Sequence, residues 1–177
     1  MLKKVYFLPR LILEKLNKKH IKDIHSYSKN NFFFKYLEFS CFKNISQTRK
    51  YINLKIKKNN FKNNFWWSVV LKKENKVIGT FNVHEFNFFR KTCEISYGIA
   101  YEYQNNGYFS EILRFFIKKI IKDLKFSRIQ VITSAKNLPS IKSLVKFGFK
   151  IEGRLKKFYR SKNDNKNFDA LILAKTR

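Results

Sequence analysis

Between residues 92 and 134 the hydrophobic period changes from two to about 3.6 and back, and this constrains the fold more than any other feature of the chain. Thr92–Tyr101 alternates strictly, with Cys93, Ile95, Tyr97, Ile99 and Tyr101 on one side and Glu94, Ser96, Gly98 and Ala100 on the other. From Phe109 to Leu124 the apolar residues Phe109, Ile112, Leu113, Phe116, Ile117, Ile120, Ile121 and Leu124 recur at helical spacing, with Arg114, Lys118, Lys119 and Lys122 opposite. Arg128–Ser134 then reads as a strand. A strand–helix–strand crossover makes the two strands parallel. The fold class is therefore α/β, with a mixed sheet.

The remaining elements fit around this unit. Leu8–Leu16 reads as an opening strand, with Leu11 and Leu13 on one face and Ile12 on the other. Lys18–Ser28 is a short helix that Asn17 can cap, and Ser46 can cap a second helix to about Lys58. Residues 30–44 are aromatic-rich and irregular. Trp66–Lys72 and Val77–Glu85 complete an antiparallel meander with Thr92–Tyr101. Pro139 opens a helix that ends at Gly148. Lys150–Lys157 and Phe168–Lys175 form a final hairpin joined by polar residues 161–167. The order is β-α-α-β-β-β-α-β-α-β-β. No linker or repeat divides the chain, so residues 1–177 are expected to form a single domain.

The 44% hydrophobic content supplies a core and excludes a disordered chain. Thirty-nine Lys and Arg against 12 Asp and Glu give a net charge of +27. That excess draws a protein toward polyanions, including nucleic acid and ribosomes. An A+T-rich coding sequence would also produce 20 Phe and few Gly or Pro, and the cations are spread through both halves rather than gathered in an arm. Cys41 and Cys93 match neither a metal spacing nor a disulfide framework, so a reduced, cytoplasmic setting without metal is expected. No apolar run reaches the roughly 20 residues of a membrane span, and Pro9, Arg10 and Glu14 interrupt any signal-like stretch.

The chemistry is concentrated in the loop Glu102–Gly107, which opens the long helix. Free N–H groups and the helix dipole at such an N-terminus can bind a phosphate or pyrophosphate. Gly107 permits a tight turn, and Asn105 and Asn106 tolerate left-handed backbone. A second polar helix start, Asn137-Leu138-Pro139-Ser140, is followed by Gly148-Phe149 and Glu152-Gly153. Read alone, Asn137 and Ser140 are capping residues.

The two segments in this order resemble the GCN5-related N-acetyltransferase (GNAT) superfamily. Gln104–Glu111 resembles its acyl-CoA pyrophosphate motif, and Asn137–Gly153 its second motif. Leu8–Leu13, Lys76–Thr80, Glu94–Tyr97 and Phe168–Leu171 resemble its first, third, fourth and last strands, the opening strand being similar to that of the RimJ/RimL-type branch.

The resemblance implies a GNAT fold whose central sheet splays between the fourth and fifth strands, Thr92–Tyr101 and Arg128–Ser134. Acetyl-CoA would be the co-substrate, with its pantetheine arm in the gap. Backbone near Ile99 and Ala100 would bond the arm and polarise the thioester carbonyl. The amides of Gln104, Asn105, Asn106, Gly107, Tyr108, Phe109 and Ser110 would hold the pyrophosphate, and Asn137 would bond the arm. Phe109 stands where the family carries a small residue; its ring either narrows this site or joins the core face of the helix. The family's frequent acid tyrosine falls at Leu144, leaving Ser140 to protonate the thiolate. Glu94, Glu85 and His84 are candidates for the base, with Glu94 preferred. Glu111 belongs to the first helical turn, and Cys93 to the core.

At pH 7 an α-amine with pKa near 8 costs about 1.4 kcal/mol to deprotonate, against about 4.6 kcal/mol for a lysine side chain. A site without a strong base therefore suits a protein N-terminus, and a basic surface suits a ribosomal protein. The alternatives are acetylation of a small amine such as a polyamine or aminoglycoside, and a non-catalytic basic RNA-binding module on a decayed GNAT fold. Expected partners are acetyl-CoA and an acceptor protein, with weak ribosome or nucleic-acid association, no membrane, and a monomeric or homodimeric state.

Overall fold

The computed structural model describes residues 2–59, 63–162 and 165–177. Eight strands form one sheet in the order β1-β2-β3-β4-β5-β6-β8-β7. They are β1 (Val5–Phe7), β2 (Leu11–Lys15), β3 (Asn64–Leu71), β4 (Lys76–Asn87), β5 (Thr92–Ile99), β6 (Arg128–Ser134), β7 (Lys150–Arg160) and β8 (Asn167–Thr176). The helices are α1 (Ile21–Ser28), α2 (Asn31–Phe34), α3 (Ile45–Lys58), α4 (Tyr108–Ile117) and α5 (Leu138–Lys146). All neighbouring strands are antiparallel except β5 and β6, the pair joined through α4.

Strand periodicity divides the core between the two faces of the sheet. Trp67, Val69, Phe81, Val83 and Ile95 pack with Ile112, Leu113 and Phe116 of α4 and Leu144 of α5. Val70 and Val77 pack on the other face with Ile21 and Ile24 of α1 and Ile52 of α3. Ile112, Leu113 and Phe116 are fully buried, each contributing roughly 2 kcal/mol through removal from water. The Phe81 and Phe116 rings stack at 4.4 Å.

Several local expectations are revised. The opening strand is a hairpin: the turn at Pro9-Arg10 separates β1 from β2, and Val5 pairs with Glu14. Proline lacks the N–H that a continuous central strand needs. Asn17 caps a 3-10 turn, Lys18–His20, that leads into α1, accepting from Lys19 N at 2.8 Å, while α1 itself starts after His20 without a side-chain cap. The second cap is Asn44, not Ser46; Asn44 Oδ1 accepts from Gln47 N at 3.0 Å, leaving Ser46 inside the first turn. β5 ends at Ile99, so Tyr101 lies beyond the strand and is half exposed. Past Ile117 the long helix widens to π geometry over Lys118–Asp123, with Leu124 N donating to Lys119 O. Part of the predicted 161–167 connection, residues 163–164, lies outside the described residues.

Candidate active site

β5 and β6 pair only at Thr92–Arg128, Cys93–Ile129 and Glu94–Gln130. Both continue for several more residues with no further pairing, so the sheet opens toward the strand ends. This is the predicted splay. Ala100 N donates to Ile78 O at 2.8 Å. Backbone direction alternates along an antiparallel strand, so the neighbouring Ile99 N–H points into the opening. Ile99 O is already engaged by Gln104 Nε2 at 3.0 Å. Of the two residues expected to present backbone to a thioester, Ile99 is therefore placed to donate. Ala100 is not, because its amide is committed to β4 and the residue is buried.

The loop at the mouth of the opening has Asn105 at φ 62° and Gly107 at φ 74°, both left-handed. Gly107 caps α4, and the first helical bond is Glu111 N to Gly107 O at 3.1 Å. The amides of Tyr108, Phe109 and Ser110 precede that bond and have no partner within the helix. With the two left-handed residues they form a concave nest of N–H donors suited to a diphosphate. Asn106 Nδ2 closes the loop by donating to Gln104 O at 2.9 Å. Phe109 turns inward and stacks on Tyr97 at 3.7 Å, which places its ring in the core and not over the nest.

Arg10, to which the sequence assigns no role at this loop, braces it. Its Nε bonds Glu111 Oε2 at 2.7 Å and its Nη1 bonds Asn106 O at 2.9 Å. Its guanidinium lies 4.6 Å from the Tyr108 ring centre. Glu111 is thus a structural partner at the loop.

At the start of α5, Asn137 Oδ1 accepts from Ser140 N at 3.4 Å, and Nδ2 donates to Thr133 Oγ1 at 3.3 Å. Ser140 Oγ meets Tyr97 OH at 2.7 Å. Burial pushes the Tyr97 phenol up, partly offset by the bond to Ser140, so it stays protonated throughout the working pH range. Sequence alternation placed Tyr97 on the core side but gave no sign that its tip reaches Ser140. Leu144 is fully buried and has no proton to give. Cys93 is also buried, and burial pushes its thiol up to about 12, as befits a core residue.

A cleft of ≈ 460 Å³ opens on the α1/α3 face of β4 and β5. His84 and Glu94 line it, with His84 Nε2 3.7 Å from Glu94 Oε1. Gln130 Nε2 steadies Glu94 Oε2 at 3.0 Å. Desolvation lowers the His84 pKa despite the opposing pull of Glu94 and Glu85. Glu85, at φ 51°, is 81% exposed at its side chain and stands at the rim. The 30–44 segment, expected to be irregular, begins with the one-turn helix α2 and supplies aromatic wall, including Phe33 and Phe34 of that helix and Phe39 beyond it.

The acetyltransferase (GNAT) domain family matches residues 10–150. The uncharacterized N-acetyltransferase p20 of Bacillus licheniformis is 26% identical over 158 residues, covering 88% of each chain. An acetyltransferase of the GNAT family from Bacillus anthracis superposes with TM-score 0.81 at 27% identity, covering 97% of this chain and 98% of that one. The ribosomal L7/L12 α-N-protein acetyltransferase RimL, solved with coenzyme A, shares the fold with TM-score 0.84 at 16% identity and 97% coverage of both. The chain belongs to the GNAT acetyltransferase family. Its activity class is acetyl transfer from acetyl-CoA to an amine nitrogen. The splayed strands and the amide nest fit that co-substrate. Among the described residues no group of three or more His, Cys, Asp or Glu could hold a metal, and no helix is long and apolar enough to cross a membrane.

Proposed function

We propose that the whole chain works as one RimJ/RimL-type domain that acetylates the N-terminal α-amine of a protein, a ribosomal protein being the favoured class. The observation that carries this reading is the modest base in the acceptor cleft. His84 and Glu94 stand 3.7 Å apart, and burial keeps the imidazole neutral at pH 7. Such a pair suffices for an α-amine, whose deprotonation costs about 1.4 kcal/mol, better than for a lysine at about 4.6 kcal/mol. RimL, the fold neighbour described above, is itself an α-N-protein acetyltransferase of ribosomal L7/L12. The +27 charge suits weak ribosome association in the cytoplasm.

When bound, acetyl-CoA supplies an acetyl thioester whose sulfur leaves as a thiol. The Ile99 N–H polarises the carbonyl of that group. The Gln104 amide is spent on Tyr101 O at 3.2 Å, so the nest of backbone donors that holds the diphosphate runs from Asn105 through Asn106, Gly107, Tyr108, Phe109 and Ser110, and Asn137 steadies the arm. Ser140 hands its hydroxyl proton to the departing sulfur as it takes up, through water, one of the two protons that the α-ammonium loses on becoming an amide, so the serine ends neutral; Tyr97 is bonded behind it. Glu94 and His84 receive the proton of the incoming amine through water.

A small cationic amine is the second reading, favoured by Glu38, Glu85 and Glu94 in the cleft. The test is transfer of labelled acetyl from acetyl-CoA to N-terminal peptides, polyamines and aminoglycosides in parallel. Peptide labelling at the α-nitrogen is expected. Labelling of small amines alone would replace the first reading with the second.

A further inference from the structure

The acceptor cleft has a chemistry unlike the rest of the surface. In a chain with 39 Lys and Arg and 12 acids, its described lining holds three acids, Glu38, Glu85 and Glu94, against two lysines, Lys55 and Lys58. Lys55 is already accommodated, its ammonium 4.5 Å from the Trp66 ring centre and 5.2 Å from that of Tyr51.

Three polar side-chain atoms lining this cleft are buried without a partner: Asn82 Oδ1, Asn64 Oδ1 and Trp66 Nε1. Asn82 is only 3% exposed, and its Nδ2 donates to Ser96 Oγ at 3.3 Å, so the amide is held with its oxygen unmet. Buried polar groups are nearly always paired. Three unpaired in one cleft indicate that a ligand with both donors and acceptors completes them.

The wall beside them is aromatic. A Cβ on Gly98 would lie 2.8 Å from Phe33 Cζ, so glycine is what lets this ring lie directly against β5. Phe33 in turn stands at 4.9 Å from Tyr27 and 5.1 Å from Phe34. An aromatic face flush with the strand bordering the opening meets whatever is attached to the reacting nitrogen.

We propose that the preferred acceptor is a peptide whose first residue is large and apolar or aromatic, its α-ammonium received by Asn82 Oδ1 and its side chain lying against Phe33. The first peptide carbonyl accepts from Trp66 Nε1. Acidic first residues are repelled by Glu94, Glu85 and Glu38. This rests on the α-amine reading above and names the substrate class within it.

The test uses peptides differing only in the first residue, Phe, Ala or Asp, assayed for kcat/KM and titrated calorimetrically into the full chain saturated with coenzyme A. At least tenfold preference for Phe over Ala, and for Ala over Asp, is expected. Asn82→Ala, and separately Trp66→Phe, which keeps an aromatic ring and removes Nε1, should each weaken Phe-peptide binding about tenfold. Coenzyme A affinity and melting temperature should be unchanged. Equal or inverted preference among the peptides, or unchanged Phe-peptide affinity in both variants, overturns the proposal. Coenzyme A binding with transfer to small amines but to no peptide overturns the α-amine reading itself, a result distinct from a wrong first-residue preference.

Discussion

Tyr97→Phe isolates one hydroxyl. The variant keeps the ring stacked on Phe109 at 3.7 Å and removes only the oxygen that meets Ser140 Oγ at 2.7 Å. The most a proton donor can contribute is set by the leaving thiol. With a thiol pKa near 8.5, expulsion as thiolate at pH 7 is disfavoured by about 2 kcal/mol, or roughly 30-fold in rate. Ser140→Ala should therefore lower kcat by up to about 30-fold at pH 7. Tyr97→Phe removes a buried hydrogen bond worth about 1–1.5 kcal/mol and should lower kcat about tenfold. Both deficits should shrink toward unity above pH 8.5, where thiolate leaves without help. The two groups act in series, so the double variant should be no worse than Ser140→Ala alone. The assay is thiol release at saturating substrates from pH 6.5 to 9.5. Deficits that persist undiminished at pH 9.5, or that multiply in the double variant, refute the reasoning.

At Gly107, a Cβ would meet only Arg10 Nη2, at 3.6 Å, so Gly107→Ala should cost about 1 kcal/mol of stability from left-handed strain and leave coenzyme A affinity within a few-fold. Gly107→Glu adds a carboxylate to the nest and should weaken coenzyme A by tenfold or more in calorimetry; equal affinity in both variants would remove the nest from the binding site. Arg10→Ala frees the Asn106 carbonyl and Glu111 Oε2 while the backbone bond from residue 10 N to Glu111 Oε1 remains, and should raise KM for acetyl-CoA about three- to tenfold with kcat little changed. His20 is buried against Ser68 Oγ at 2.7 Å, and desolvation lowers its pKa. The unfolded state therefore binds its proton more readily, so stability is fully present above about pH 6.5 and is lost as pH falls below it. Urea midpoints at pH 7.5 and 5.5 should show the loss, and His20→Gln should show less of it.

How legible these features were depends on the distance over which each is determined. The β5 alternation, the α4 stripe and the terminator Gly148, at φ 82°, follow from local period and backbone sterics, and all were readable. Asn44 and Ser46 are both able to cap a helix, and only the realised bond to Gln47 N distinguishes them. Residues 30–44 have no period because ring contacts hold them, such as Phe34 on Phe42 at 5.7 Å and Phe42 on Tyr51 at 5.3 Å. The commitment of the Ala100 amide to Ile78 depends on strand register, which one sequence does not reveal. The left-handed Gly107 and the unbonded first-turn amides of α4 were legible because a glycine before a helix states its own geometry, whereas the engagement of the Gln104 amide by Tyr101 O was not. The Tyr97–Ser140 contact joins residues 43 apart, and alternation indicated a side of the sheet without a partner.

Because β5 and β6 share only three paired positions, the sheet is two ladders, β1 to β5 and β6 to β7, joined by a short seam. On the proposed binding mode, a pantetheine arm in the gap is a removable tie beam between them. Each product release then takes out a structural member, and the molecule is at its most compliant in the interval before the next coenzyme arrives. Amide exchange at Tyr97 and Ile99 should register this directly, slowing when coenzyme A is present; an unchanged rate would mean that the seam carries the load by itself.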